Sequence, residues 1–231
     1  MHFADGYDII FFVVILIRTS KEEEGMAKEI RNIVFDMGRV LLHFSTEDVI
    51  SPYFPDPDDH ARIFDTIYGS GDWVLLDDAT LTEDEAMARW KAKLPTEWHS
   101  RLEELFEKWP DTMTPIEGME ELVCDLKAAG YGCYVLSNAS VRFEKYYREK
   151  SVFSHMDGLF VSAFHKMLKP DPAIFLRMCE EFSLDPEECF FIDDVAANIE
   201  GAAKVGMRGV QFPEYDAKTL RDNLRAAGIR I

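Results

Sequence analysis

Cysteine is scarce. The 231 residues contain four, Cys124, Cys133, Cys179 and Cys189, and none forms a C-x-x-C pair. That spacing speaks against both a thiolate zinc cluster and a disulfide framework. Each thiol lies among apolar or helical residues, so all four are expected to be buried and free in a reducing, cytoplasmic compartment. Long apolar runs are missing as well. Ile9 to Ile17 is uninterrupted for nine residues, whereas a membrane span needs about 20. A signal peptide wants a basic start and a small-residue cleavage site. Here Asp5 and Asp8 precede the run and Arg18-Thr19-Ser20-Lys21 follows it. The expectation is no membrane partner, with residues 1–25 an upstream extension and Met26-Ala27-Lys28 the natural start. An extra edge strand or a weak anchor is the competing reading.

Basic residues are few: 25 Lys and Arg stand against 43 Asp and Glu, a net charge of -18. A general nucleic-acid binder needs a basic face for phosphates, so that class is excluded. The deficit is uneven. Ser45 to Cys124 holds 20 acids and 6 bases, a net of -14, and the rest only -4. Such a shift marks a separate module. Low complexity is absent too. With 47% hydrophobic and 29% charged residues, 13 Gly and 10 Pro, the composition is that of an ordinary globular chain. At roughly 150 residues per domain, it makes one large domain or one with an insertion. Nothing reads as a coiled coil or a long exposed apolar helix, so a monomer or a weak homo-oligomer is expected.

What is present is an alternation. Asn32 to Phe35 reads as a buried strand ending in the turn Asp36-Met37-Gly38. Between Ser45 and Pro115 apolar residues recur at helical spacing, punctuated by Pro and Gly, which predicts several short helices. Strands are then expected at Tyr131–Leu136, Gly158–Ser162, Cys189–Ile192 and Arg208–Phe212. Helices are expected at 116–129, 141–150, 172–182, 195–205 and 217–227. This pattern predicts an α/β fold, a Rossmann-like parallel sheet with helices on both faces, carrying a small inserted helical cap. The expected division is core at 26–44 and 116–231, cap at 45–115.

Polar residues sit where the strands end: Asp36, then Ser137-Asn138, then Asp193-Asp194. Ligands of an open α/β sheet bind outside the carboxyl ends of the strands, so these residues converge on one crevice. Each has a plainer role available, as a helix cap or turn residue. Together, three carboxylates repel and call for a cation, and oxygen ligands at that density suit Mg2+. Lys169, in Leu168-Lys169-Pro170-Asp171-Pro172, either balances a carboxylate or phosphate there or is a solvated loop lysine.

Four segments carry a resemblance: Ile33-Val34-Phe35-Asp36-Met37-Gly38-Arg39-Val40, Val135-Leu136-Ser137-Asn138, Leu168-Lys169-Pro170-Asp171-Pro172-Ala173-Ile174-Phe175 and Phe191-Ile192-Asp193-Asp194-Val195-Ala196-Ala197-Asn198. In order and spacing they resemble the haloacid dehalogenase-like hydrolases. The closest look is to the branch with a helical cap after the first motif and to its Asp-x-Gly sugar-phosphate phosphatases. The resemblance covers about Asn32 to Phe212 and implies an Mg2+-dependent phosphatase of a small phosphorylated metabolite. Asp36 would be the nucleophile and Lys169 its counter-charge. Ser137 and Asn138 would bind the phosphate. Asp36, the Gly38 carbonyl and Asp194 would hold the metal, with Asp193 direct or through water. Asn198 would orient the last motif. Gly38 departs from the many relatives with a second Asp there, which protonates the leaving oxygen; His43 or water could substitute.

Arg39 either contacts substrate or forms a surface ion pair. Of the cap aromatics, mostly assigned to a small core, Tyr68 and Trp73 are the candidates to face the crevice. A metal-independent 2-haloacid dehalogenase and a non-catalytic phosphate-binding module are the alternatives.

Overall fold

The computed structural model describes residues 28–213 and 216–231. The expectation for residues 1–25 lies outside them. Five strands, β1 (Asn32–Phe35), β2 (Gly132–Ser137), β3 (Gly158–Val161), β4 (Cys189–Asp193) and β5 (Arg208–Gln211), form one parallel sheet in the order β3-β2-β1-β4-β5. The direction of winding reverses between β1 and β4, which opens a crevice beyond their carboxyl ends. Side chains alternate across the sheet with period two. Ile33, Phe35, Val135 and Ile192 join one apolar cluster, while Val34, Leu136 and Phe191 join the other. Both faces are apolar because both are covered, as the βαβ pattern requires.

Between Leu42 and Pro115 the described chain forms helices and no strand: α1 (Thr46–Ile50), α2 (Pro57–Phe64), α3 (Asp72–Asp77), α4 (Glu83–Lys93) and α5 (His99–Lys108), joined by a π-helical turn (Asp65–Gly69) and two 3-10 turns. Their starts are written locally. Asp56 caps α2 ahead of Pro57, and Thr82 with Glu85 closes a capping box on α4. The two chain crossings into and out of this stretch run side by side. The His43 N–H donates to the Thr114 carbonyl at 2.7 Å, and the Ile116 N–H to that of Leu41 at 3.0 Å.

Arg142, buried, clasps the helical stretch from the other side. It donates to both carboxylate oxygens of Glu83 at 2.8 Å and to Glu107 at 2.9 Å, and its guanidinium lies 4.3 Å from the Phe106 ring centroid. The remaining helices are α6 (Met119–Ala128), α7 (Phe143–Tyr146), α8 (Ser162–His165), α9 (Pro172–Phe182), α10 (Ala196–Ala203) and α11 (Ala217–Ala226).

Two expectations need correction. The helix over 141–150 is a single turn, α7, followed by 3-10 turns. Phe143 stacks on Tyr147 at 4.9 Å and meets Phe153 edge-on at 5.5 Å, so the chain folds back on an aromatic cluster instead of continuing. Of the four free cysteines, Cys124 is exposed rather than buried, because it falls on the outer side of α6.

Candidate active site

Asp36 follows β1 directly, and its N–H continues the ladder to the Ile192 carbonyl at 2.8 Å. Its carboxylate therefore emerges at the crevice on a rigid support. Lys169 reaches it from the loop before α9. The ammonium is fully buried and has three donors for three acceptors: Asp36 Oδ1 at 2.8 Å, Asp193 Oδ2 at 2.7 Å and the Leu136 carbonyl at 3.0 Å. Asn138 holds that loop in place, accepting from the Lys169 N–H at 2.9 Å and donating to the Lys169 carbonyl at 3.0 Å. Gly201 on α10 lets the same loop approach, since a Cβ there would sit 2.3 Å from the Pro170 carbonyl oxygen.

Asp193, wholly buried at the end of β4, is the hub. Besides Lys169 it accepts from Asn198 Nδ2 at 2.9 and 3.0 Å and from the Val195 N–H at 2.8 Å. Asp194 is half-buried and pairs with Arg39 at 3.3 Å. Arg39 has a positive φ of 63°, and its N–H is tied to the Leu42 carbonyl at 2.7 Å. That left-handed conformation is uncommon for a long side chain and points the turn at the crevice.

The electrostatics are unbalanced. Oxygen atoms of Asp36, Asp193 and Asp194 all lie within 4.8 Å of one another, around one buried ammonium. Burial pushes the Asp36 carboxyl up, to about 7, with Asp193 adding to it and Lys169 opposing. Burial and Asp193 push Asp194 upward too. Burial alone would lower Lys169, but Asp36 and Asp193 outweigh it and hold the ammonium charged. Three carboxylates against the Lys169 ammonium and the Arg39 guanidinium leave an excess of negative charge, and oxygen donors so close together fit a hard divalent cation.

Above this polar floor is a cavity of about 320 Å3 whose far wall is aromatic. Phe44, Trp73, Trp109 and Tyr146 line it and touch in sequence: Phe44 and Trp73 centroids are 6.4 Å apart, Trp73 and Trp109 5.3 Å, Trp109 and Tyr146 5.7 Å. Asp77, at the end of α3, also lines the cavity. Its carbonyl accepts from Ser162 Oγ at 2.5 Å, which ties α3 to the end of β3. Burial, then Asp78 and Asp36, push its carboxyl up to about 8. It is therefore largely neutral near pH 7 and can donate a hydrogen bond.

The structure gathers Asp36, Gly38, Arg39, Ser137, Asn138, Lys169, Asp194 and Asn198 on the cavity wall, with Asp193 directly behind. Ser137 is buried at the end of β2. Asn138 lines the cavity, and its side-chain amide also holds the Lys169 peptide through one donor and one acceptor bond. His43 is exposed and does not line the cavity, because the paired crossing strands carry it outward. Trp73 faces the cavity as anticipated, but Tyr68 packs behind it at 4.8 Å. Trp90 and Trp98 belong to the apolar core, as assigned. Sequence reasoning missed Asp77, Trp109 and Tyr146 as lining residues. The only hint was Asp77 in the Leu75-Leu76-Asp77-Asp78 segment, since helical spacing cannot tell a cavity wall from a core.

A family profile for haloacid dehalogenase-like hydrolases matches residues 30–206. Among curated proteins, the flavin mononucleotide hydrolase 1 of Arabidopsis thaliana is 28% identical over 116 residues, 50% of this chain and 46% of that protein. The chain thus aligns with less than half of that relative's length. The sesquiterpene phosphatase astK of Aspergillus oryzae is 24% identical over 192 residues, 82% of this chain and 93% of that protein. Among solved structures, the family enzyme bt-2542 of Bacteroides thetaiotaomicron superimposes with a TM-score of 0.68 at 21% identity, covering 84% of this chain and 99% of that one. The same enzyme has been solved with magnesium and inorganic phosphate. The L-2-haloacid dehalogenase of Xanthobacter autotrophicus superimposes with a TM-score of 0.61 at 15% identity, covering 87% and 85%. At such identities these likenesses speak for the fold.

Proposed function

The chain belongs to the haloacid dehalogenase-like hydrolase family, and from that premise we propose that it is an Mg2+-dependent phosphatase of a small phosphorylated metabolite, working through an aspartyl-phosphate on Asp36. The enzyme is a phosphoric monoester hydrolase. The observation that carries this reading is the excess of carboxylate at the strand ends: three acids with oxygens within 4.8 Å of one another, against Lys169 and Arg39. Residues 45–115 act as the cap over a core made of 26–44 and 116–231.

In this reading Asp36, the Gly38 carbonyl and Asp194 hold the ion, with Asp193 acting through water because its oxygens are engaged by Lys169, Asn198 and Val195. The bound ion supplies charge neutralisation for the attacking carboxylate and the phosphoryl oxygens. Lys169 grips Asp36 Oδ1, which leaves Oδ2 to attack phosphorus. The bond from phosphorus to the leaving oxygen breaks as the Asp36 acyl phosphate forms, the leaving alkoxide takes a proton from solvent, and water then hydrolyses that anhydride to phosphate and free Asp36. Ser137 donates its hydroxyl to a phosphoryl oxygen, and Arg39 at the rim meets the dianion. Gly38 has no acid to protonate the leaving oxygen. Asp77 is the cap carboxyl that lines the cavity and is largely neutral near pH 7.

The test is phosphate release from a panel of monoesters with and without Mg2+, beside Asp36→Asn. Release should require the metal and fall by roughly 10⁴–10⁶-fold in the folded variant, the range for loss of a nucleophile. Activity persisting in EDTA would point to carbon–halogen chemistry instead. No hydrolysis, with no beryllofluoride bound at Asp36, would leave a phosphate-binding module.

A further inference from the structure

The polar floor accounts for the phosphate and says nothing of the alcohol attached to it. That alcohol must occupy the rest of the 320 Å3 cavity. Four residues of the 45–115 stretch line the space: Trp73, Asp77, Trp109 and Met113. Phe44, at the crossing, and Tyr146, from α7, complete the wall. No serine, threonine, asparagine, glutamine, lysine, arginine or histidine of that stretch is among the lining residues. The Tyr146 hydroxyl is turned to the Met37 sulfur at 3.9 Å. The rings are packed edge to face against one another rather than spread around a void. They form a largely apolar surface; besides the floor, Asp77, Ser140 and the Trp109 indole N–H, unpaired among the described residues, are the polar groups beside it.

A polyhydroxylated leaving group is poorly served by such a wall. Each hydroxyl buried against a ring face without a partner costs about 1–3 kcal/mol. Asp77, Ser140 and the Trp109 N–H can satisfy two or three hydroxyls, not four or five. An apolar group loses no hydrogen bond on entering and gains the burial of its surface. A cationic group would also suit ring faces. It would pair with Asp77, the single acid of the wall, so the choline ester is the control that separates a cationic from an apolar group.

We infer that this enzyme acts on phosphate monoesters of apolar alcohols, a ring or branched hydrocarbon carrying a terminal phosphate, rather than on sugar phosphates. The inference rests on the phosphatase reading above and departs from the sugar phosphate that the Asp-x-Gly resemblance suggests. Trp73 and Trp109 are the residues that select the substrate.

The experiment compares primary-alcohol esters, so that leaving-group chemistry is matched: 3-phenylpropyl phosphate, glucose 6-phosphate and choline phosphate, each with Mg2+. The expected kcat/KM for the phenylpropyl ester is roughly 100-fold above either of the others, the scale on which apolar pockets discriminate. Trp73→Ala should shrink that ratio about 10-fold. A parallel titration uses tryptophan fluorescence with 3-phenylpropylphosphonate and glucose 6-phosphonate, which need no turnover. Preference for the sugar or the choline ester would overturn the inference while upholding the phosphatase. Tighter binding of the phenylpropylphosphonate without hydrolysis of any ester would uphold the apolar site and overturn the phosphatase. Equal binding of both phosphonates would overturn the inference in either case.

Discussion

The floor and the wall of the cavity are built on opposite principles. On the floor nearly every polar atom is engaged. Lys169 spends three donors on three acceptors, Asp193 takes bonds from a lysine, an asparagine and a backbone N–H, and Asn138 and Gly201 fix the loop that delivers the lysine. On the wall, rings pack by shape, and two polar atoms, the indole nitrogen of the wall residue Trp109 and the hydroxyl of Tyr68 behind it, are buried with no partner among the described residues. Burial of that hydroxyl pushes its pKa upward. The contrast teaches a division of labour. A charged centre tolerates little displacement because its energies fall steeply with geometry. A wall of rings can exchange one apolar shape for another at small cost.

The largest expected effect breaks the floor. Lys169→Met would strand Asp36 and Asp193 as neighbouring buried acids. Removing one partner of a buried ion pair costs about 3–5 kcal/mol. Urea unfolding of the metal-free protein should show that loss, with turnover abolished, and a loss under about 1 kcal/mol would mean that the floor is less dependent on charge than its geometry implies. Next is the clasp between the halves. Arg142→Met removes the link to Glu83 and Glu107. Since Glu107 reaches solvent, about 2 kcal/mol is expected. Thermal unfolding checks it, and an unchanged midpoint would show that the aromatic wall alone holds the cap.

The smallest effect sharpens the boundary between floor and wall. Asp77 has a folded pKa of about 8 against an ordinary value of 3.8. A raised carboxyl binds more protons folded than unfolded between those values, so its contribution weakens the fold as pH rises from about 4 to 8. Asp77→Asn removes that contribution. The variant's melting temperature relative to the parent should therefore climb across that window in metal-free buffer. A difference that stays flat with pH would place Asp77 in water rather than in the wall.

How much of this was legible in the chain itself follows the same division. β1 and β4 announce themselves as short apolar runs that end in acids, because a parallel strand buried on both faces carries apolar side chains throughout and turns polar only where it leaves the sheet. That Asp36, Ser137 and Asp194 stand at strand ends follows from that pattern; the order of the strands does not, because strand pairing joins residues remote in sequence. The α7 region was misjudged because an aromatic cluster, Phe143 with Tyr147 and Phe153, overrode helical spacing. That the Asn138 amide also holds the Lys169 peptide is not legible, because a sequence does not show where an amide is engaged.

The sequence by itself determined the strands, the acidic helical insertion, whose residues 45–115 carry 17 acids and 6 bases, and the acids and lysine of the candidate site. These are local matters: period, punctuation and residues that a strand end must present. Only the tertiary structure decided that Trp109 and Tyr146 face the cavity while Tyr68 does not, and that Asp77 crosses from α3 to the reaction centre. Those outcomes depend on how one module is pressed against another. The paired crossings at His43 and Ile116, the Arg142 clasp and the Ser162 bond to Asp77 set that docking. Each joins residues remote in sequence, so no local pattern records it.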